Sequence, residues 1–496
     1  MKIVIAYPPI TTDKGCPLLG QNRQFQYFKD PTYIYPVVPA QAATLLKKNG
    51  FEVVWLDAIA ENISYERFIE IIKNEKPDLI AMETKTPVIK EHWRIINDLK
   101  STLRTTNQEL RTVLFGDHVT ALPEESFQNS KVDYVLTGGD YDFLLLNLCN
   151  TLSLSAPITT YPLSLNSKLE PGIYYRENGI IKNTGKFQLN HNLDALPFID
   201  RDLTKWRLYA YANGNYKRTP GTYIMSARDC WWGKCTFCSW PTLYPKFRNR
   251  SVKNVLDEIG ELITQYNVRE IMDDAGTLPV SAWLSEFCKG MIERGYNKKI
   301  YFDCNMRFGA VTYSDLKLMK QASFRLLLFG LESANQNTLD RLKKNLKVED
   351  IIQGCRLARK AGLYPHITIM FGYPWETYEE ALKTLNLGRW LLKKGFAYTM
   401  QATMVIPYPG SPLFEECKQN NWLKTLDWDD YDMKQPVMRA QFPESEITKL
   451  VQGMYKISFQ PEFMLRKLFS LRDFDDFKYY LRAGGKVFGH IFDFRK

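Results

Sequence analysis

No stretch of about 18 consecutive apolar residues occurs in the 496-residue chain, so nothing in it reads as a membrane span. The apolar run at its start, within Met1-Lys-Ile-Val-Ile-Ala-Tyr-Pro-Pro9, is too short for a secretory signal, and the expected location is cytoplasmic. A basic run is also missing. The 65 Lys and Arg against 55 Asp and Glu are spread along the chain, so the net charge of +10 describes a solvated surface and gives no reason to expect nucleic acid. The nine cysteines form no paired framework: three fall in one loop, while Cys149, Cys288, Cys355 and Cys417 are scattered as core residues are. That excludes a disulfide scaffold and suits a reducing compartment. The three spaced glycines of a dinucleotide fingerprint do not follow the first apolar run, where Pro8-Pro9 stands, which disfavours a nicotinamide cofactor.

What is present is a chain of ordinary globular composition, 45% hydrophobic and 24% charged, long enough for at least two domains. Over residues 1–150, apolar runs at Ile3–Tyr7, Val53–Leu56, Leu79–Met82, Val113–Phe115 and Tyr134–Leu136 alternate with helical patterns. This predicts a doubly wound, Rossmann-like α/β domain. Its ligand-facing loops are Thr84-Lys-Thr86, Gly116-Asp-His118 and Gly138-Gly139, at the carboxyl ends of the strands. Residues 151–215 lose the periodicity and gather Pro, Asn, Thr and Gly, as in Ser155-Ala-Pro157, and read as a connecting segment. From 216 to 412, six βα units follow, beginning with a strand at Thr222–Ala227 and a helix opened by Ser251 as N-cap. Six such units match a partial parallel barrel with its site at the carboxyl ends of the strands. Residues 413–496 are helix-like and aromatic, with Phe463, Phe469, Phe474, Phe477, Tyr479 and Tyr480, and are expected to pack as a lid.

The chemistry sits in Asp229-Cys-Trp-Trp-Gly-Lys-Cys-Thr-Phe-Cys238, directly after the first barrel strand. Three thiolates on one short loop can each hold one iron of a cubane cluster and leave the fourth iron open to a small molecule. Cysteines two residues apart also make zinc knuckles, which need a fourth ligand, and His191 and Cys288 are the nearest other Cys or His residues. An open cluster at a barrel mouth has a cavity to act in, whereas a knuckle needs no barrel. Trp231, Trp232 and Trp240 shield such a cluster, touch substrate, or simply pack.

Together with Arg248-Asn-Arg250-Ser251, Gly330-Leu-Glu-Ser333, Gly372-Tyr-Pro-Trp-Glu-Thr377 and Pro407-Tyr-Pro-Gly-Ser-Pro412, this loop resembles the radical S-adenosylmethionine (SAM) superfamily. Within it, the chain resembles specifically the branch with an N-terminal cobalamin-binding domain that includes the anaerobic magnesium-protoporphyrin monomethyl ester cyclases. The resemblance implies a 4Fe-4S cluster on Cys230, Cys235 and Cys238 that chelates SAM and, on reduction, cleaves its sulfonium to a 5'-deoxyadenosyl radical. It implies SAM contacts from Phe237, Asp273, Asp274, Arg307, Glu332 and Ser333, with Glu376 and Thr377 ranked behind them as helix-starting residues. Cobalamin would meet Thr84, Thr86, Gly116, Gly138 and Gly139, where turn formation is the plain alternative for the threonines. Asp273 and Asp274 likewise serve equally well as turn or cap residues.

Two departures stand out. The cysteine spacing is four then two where the family has three then two, and no Asp-x-His-x-x-Gly loop follows the first strand to supply a histidine to cobalt. His118 follows the fourth strand and reads as a loop residue. The implied activity is functionalisation of an unactivated C–H bond by methylation or oxidative cyclisation, with a reduced flavodoxin or ferredoxin type of donor. A methylthiotransferase would need a second cysteine triplet, and the first domain has only Cys16 and Cys149. A non-catalytic cobalamin or metal-binding sensor would need no open cluster. Lys486, Phe488, Phe492 and Phe494 suit a lipid or porphyrin-like partner, or contact with a membrane surface, as well as a packed terminal helix.

Overall fold

The alternation of side chains along β1 (Lys2–Tyr7) sets the layering of the first domain. Ile3, Ile5 and Tyr7 join one buried cluster and Val4 and Ala6 another, as a strand pointing successive residues to opposite faces requires. The computed structural model describes residues 1–10, 12–18, 27–29, 31–104, 110–154 and 169–493. β1 lies between β2 (Glu52–Asp57) and β3 (Leu79–Thr84), and β4 (Arg111–Gly116) and β5 (Tyr134–Leu136) continue the sheet, all in parallel. Every residue of β3 is buried, the pattern of a parallel strand covered on both faces. The helix Val37–Lys48 supplies Ala40, Ala43 and Leu46 to the first cluster. Tyr65–Glu75 and Ile89–Arg104 supply Phe68, Ile72, Ile96 and Leu99 to the second.

The connecting segment holds more structure than expected. β6 (Ile173–Glu177) and β7 (Ile180–Asn183) form a hairpin that adds two antiparallel strands, giving a seven-stranded sheet in the order β2-β1-β3-β4-β5-β6-β7. Asn178 and Gly179 both take positive φ at its turn, the conformation an Asn-Gly pair adopts most cheaply. Ser155-Ala-Pro157 lies outside the described residues.

The second domain is a six-stranded parallel sheet in sequential order: β8 (Gly221–Ile224), β9 (Glu270–Asp273), β10 (Tyr301–Met306), β11 (Phe324–Glu332), β12 (Tyr364–Phe371) and β13 (Thr399–Met404). This is the expected partial barrel. Ser251 caps the helix Val252–Tyr266 by accepting from the Asn254 amide at 3.2 Å, and Val252, Val255, Leu256, Ile259 and Leu262 bury one face. Between them, Ala227–Arg228 pairs with Arg248–Asn249 as a short antiparallel ribbon that frames the cysteine loop.

That ribbon is also where the domains meet. Arg228 bonds Asp140 at 3.1 Å and Asp142 at 2.9 and 2.6 Å, and Arg248 bonds Asp140 at 2.8 and 2.6 Å. His191 joins the same carboxylate at 2.9 Å and reaches Glu170, also at 2.9 Å. One hydrophobic cluster runs from Ile3 in the first sheet to Ile457 beyond the barrel.

The aromatic C-terminal stretch corrects the expectation of a lid. Tyr479 packs with Leu326 and Tyr398, the Tyr480 hydroxyl meets that of Tyr398 at 2.6 Å, and Asp476 pairs with Lys217 at 2.9 Å. All of these partners stand at the amino ends of barrel strands, so the helix Phe474–Asp493 plugs the barrel from below. Among the described residues, no helix is long and apolar enough to cross a membrane. The side chains of Phe488, Phe492 and Phe494 lie outside the described residues.

Candidate functional site

At the carboxyl ends of the barrel strands lies a cavity of about 220 Å³, and Cys230, Cys235 and Cys238 all line it. The loop is held from several sides. The Cys238 amide donates to the Cys235 carbonyl at 3.3 Å, Thr236 exchanges backbone bonds with Leu342 and Leu413, and Trp231 and Trp232 donate their indole N–H groups to Leu278 and Lys343 carbonyls. Gly233 takes a positive φ, a turn conformation that glycine adopts without strain. None of the cysteines is in a disulfide, and among the described residues no three Cys, His, Asp or Glu side chains close on a single metal ion. Three part-buried thiols facing one cavity are the donor set of a cubane with one corner left open. The scattered Cys149, Cys288, Cys355 and Cys417 are buried as expected.

Facing the thiols is a charged group that the sequence showed only in part. Glu332 ends β11 in a left-handed conformation at a register shift against β12, and its carboxylate accepts from Lys344 Nζ at 3.0 Å. Lys344 also donates to the Gly330 carbonyl at 3.0 Å. A Cβ at Gly330 would overlap both the Glu332 carboxylate and the Lys344 ammonium, so glycine is required for the pair to lie against the strand. Burial opposes the charge on Lys344, but Glu332 and Cys235 outweigh it and hold the ammonium above the ordinary lysine value. Burial pushes the Cys235 thiol up, against the pull of Lys344 and Arg307. Burial also lowers the Arg307 guanidinium, which lies 4.2 Å from the Trp232 ring centre and donates to the carbonyls of Phe308, Lys344 and Asn345. An anionic cluster therefore faces two cations.

Of the residues expected at SAM, Phe237, Arg307 and Glu332 line the cavity with the thiols. The other three do not. Asp273 is fully buried and accepts from the amides of Ser226 and Ala275 at 3.1 and 3.0 Å, so it ties the ends of β8 and β9 and is the turn residue of the plain alternative. The Asp274 amide bonds the Ile224 carbonyl, and its carboxylate faces Lys85 of the first domain. Ser333 points under the strand to Glu376 at 2.7 Å, and Glu376 also accepts from Thr338 at 2.6 Å. Thr377 caps the helix Tyr378–Lys393.

In place of the aspartates, Gly276 and Thr277 of the same loop reach the cavity, with Thr277 Oγ1 3.3 Å from the Cys230 sulfur. Asn305, Thr368 and Gln401 also line it and were missed. Their signal was weak, because each strand carries other polar residues, Asp303, His366 and Thr403 among them. Tyr408 and Met433 close the far wall with Ile406.

The carboxyl edge of the first sheet turns toward this barrel end. Its glycines serve the protein's own packing. A Cβ at Gly116 would overlap the Thr84 carbonyl, at Gly138 the Phe187 ring and at Gly139 the Tyr244 ring, and Tyr244 donates to the Gly139 carbonyl at 3.1 Å. Thr86 bonds His118 at 3.2 Å, whose other ring nitrogen meets Glu125 at 3.0 Å, so the His118 side chain is fully committed and buried. Thr84 keeps a buried hydroxyl with no hydrogen-bond partner among the described residues. Beside it stand Glu83, which accepts from Tyr7 and Tyr141, and the buried Lys85. An unbonded hydroxyl and buried charges at this edge fit the amides and tail of a corrin, with His118 not free to bind cobalt.

Comparison with known proteins agrees with this geometry. Residues 224–388 match the radical SAM superfamily and residues 31–143 the B12 binding domain. The chain is 27% identical over 445 residues to an uncharacterised methyltransferase of Pyrococcus horikoshii, covering 88% of this chain and 91% of that protein. It is 26% identical over 412 residues to the anaerobic magnesium-protoporphyrin IX monomethyl ester cyclase of Cereibacter sphaeroides, covering 81% of this chain and 64% of the cyclase. In fold it is similar to the cobalamin-dependent SAM radical enzyme OxsB, with a TM-score of 0.69 at 15% identity over 99% of this chain and 71% of that one. The radical SAM methyltransferase TsrM of Kitasatospora setae gives 0.66 at 14% identity over 99% and 98%. Cys149 is buried in the core of the first domain and Cys16 is only part-buried, which leaves no second triplet for methylthiotransfer. The chain joins a B12-binding domain to a radical SAM domain, its relatives include methyltransferases and a cyclase, and it is an enzyme whose cofactors are a 4Fe-4S cluster, SAM and cobalamin.

Proposed function

We propose that the enzyme methylates an unactivated carbon of an apolar small molecule. In this reading Cys230, Cys235 and Cys238 hold the cluster, Arg307, whose N–H groups are held by backbone carbonyls, draws the SAM carboxylate by its charge, and Glu332 accepts from the SAM ammonium. Phe237 packs beside them. Lys344 holds Glu332 in place and offsets the negative charge of the thiolates. When bound, cluster and SAM supply a carbon radical and cobalamin supplies the methyl group. The chain's part is to orient these groups and keep water out, which the apolar wall of Ile406, Tyr408 and Met433 does. The observation that carries the proposal is the shared cavity, lined by three thiols, two cations, a carboxylate and apolar residues.

Methylation is favoured over cyclisation by the P. horikoshii relative, which is named a methyltransferase and matched over nearly its whole length. The electron source is a reduced flavodoxin or ferredoxin type of donor.

The test is anaerobic reconstitution with iron, sulfide and cobalamin, followed by turnover with methyl-deuterated SAM and a chemical reductant in extracts of cells lacking the protein. A product carrying the labelled methyl group, with 5'-deoxyadenosine and S-adenosylhomocysteine, is the expected result; an unlabelled product short of two hydrogens assigns a cyclase instead. Changing any one of the three cysteines to alanine is expected to abolish both the brown cluster absorption and 5'-deoxyadenosine formation while the far-UV circular dichroism stays unchanged.

A further inference from the structure

Two cavities adjoin at the amino ends of β12 and β13, the end of the barrel opposite the thiols. The larger, about 540 Å³, is walled by apolar side chains including Met400, Phe463, Leu468, Phe477 and Leu481. This is the size of a ligand pocket. The smaller, about 190 Å³, is lined by Arg359, Arg466, Lys467 and Arg472. Phe463 and Lys467 line both, so one space passes from apolar to cationic.

The cations have no acidic partner among the described residues. Arg359 donates to the Gly395 and Leu363 carbonyls at 3.0 Å each, Arg466 to the carbonyls of Leu392 and Lys393, and Lys467 to the Tyr398 carbonyl at 2.7 Å. Burial lowers both Lys467 and Arg359, and their neighbouring cations lower them further. Three arginines and a lysine whose charge is disfavoured by burial crowd one small cavity, an arrangement that an anion relieves.

The outer surface continues the cavity lining, since Met464, Leu465, Leu468 and Leu481 border the larger cavity as well. Met464, Leu465, Leu468, Phe469, Phe474 and Leu481, on the helices Pro461–Leu468 and Phe474–Asp493 and the turn between them, are all more than half exposed. Contiguous exposure of this kind marks an interaction surface. The acids of the same stretch are all in ion pairs: Asp476 is buried against Lys217 and Arg218, while Asp473 pairs with Arg218, Asp475 with Arg269 and Glu462 with Lys393. Among the described residues, the exposed side chains of this stretch outside ion pairs are apolar or basic, the composition of an element that lies in the interface of an anionic bilayer.

We propose that this paired cavity takes one anionic phospholipid from a bilayer surface, with an acyl chain in the larger cavity and the phosphate over Arg359, Arg466, Lys467 and Arg472, while the exposed helix face rests in the membrane interface. The site is separate from the reaction cavity. Met400 lies near the start of β13, and Gln401 and Ile406 carry the same chain upward to the thiols.

Sedimentation of the reconstituted protein with vesicles tests it. Phosphatidylcholine vesicles containing phosphatidylglycerol are expected to carry the protein down and pure phosphatidylcholine vesicles to leave it in solution. Arg466→Gln with Arg472→Gln is expected to weaken binding about fivefold per cation removed, and Leu465→Asp with Phe469→Asp to abolish it, each with an unchanged melting temperature. Inorganic phosphate and glycerophosphoglycerol, which lack a chain, are expected not to compete. Equal binding to both vesicles, full binding by the Arg466/Arg472 variant, or displacement by inorganic phosphate would each overturn the proposal. So would absence of vesicle binding with concentration-dependent self-association that Leu465→Asp abolishes.

Discussion

Gly330, Glu332 and Lys344 form the smallest unit of the site that carries a prediction. The Glu332–Lys344 pair is nearly fully buried, so removing one partner leaves the other charge without compensation. Lys344→Met is expected to cost about 3 kcal/mol in urea denaturation, and the further change Glu332→Gln to recover part of that loss, because neither charge then remains alone. Gly330→Ala is expected to push the pair apart and to cost less in the Lys344→Met background than in the wild type. The motif Gly330-Leu-Glu-Ser333 was legible as a unit. Lys344 was not, because it returns to the strand only after the short helix Gln336–Arg341 and a left-handed turn at Lys343. Ser333 shows the opposite failure: a motif position tells which residue is present but not which face of the strand it takes, and here the register shift beside Glu332 sends the serine to Glu376.

At the level of elements, the ribbon under the cysteine loop and the start of the helix Tyr141–Leu154 act as one clamp through Arg228, Arg248, Asp140 and Asp142. Arg228 is buried and paired on both carboxylates, so Asp142→Asn is expected to lower stability by about 3 kcal/mol and to speed loss of the cluster to a chelator. His191 adds a pH dependence. Burial disfavours its charge, but hydrogen bonds to Asp140 and Glu170 outweigh burial and raise its pKa to about 9. The folded value lies above the unfolded one, so its contribution is complete below pH about 6.5 and is lost as pH rises through about 9. The loss amounts to about 3 kcal/mol, read as a fall in melting temperature between neutral and strongly alkaline buffer that is absent in His191→Gln. Arg248-Asn-Arg250 was visible in the sequence as a motif. Its partners were not, because Asp140 lies more than a hundred residues earlier and charge alone does not specify pairing. The hairpin β6–β7 had a readable signal in Asn178-Gly179 flanked by alternating residues, which the surrounding loss of periodicity hid.

For the whole molecule, the alternation of strands and helices was enough to give two α/β layers and an incomplete barrel, since hydrophobic periodicity records which faces are covered. It did not give the position of the C-terminal helices, because an amphipathic helix reports that it has a buried face and not which surface buries it. The hydrophobic cluster shared by both domains predicts that they unfold together. Calorimetry of the cluster-free protein is expected to show one transition for the first domain and barrel, and Asp140→Ala, which removes the shared carboxylate from both arginines and the histidine, to split it into two.

The clamp also bears on truncation. Both arginines beneath the cysteine loop pair with carboxylates of the first domain, so a fragment that begins at residue 216 leaves them uncompensated and is expected to lose its iron on desalting where the full chain keeps it.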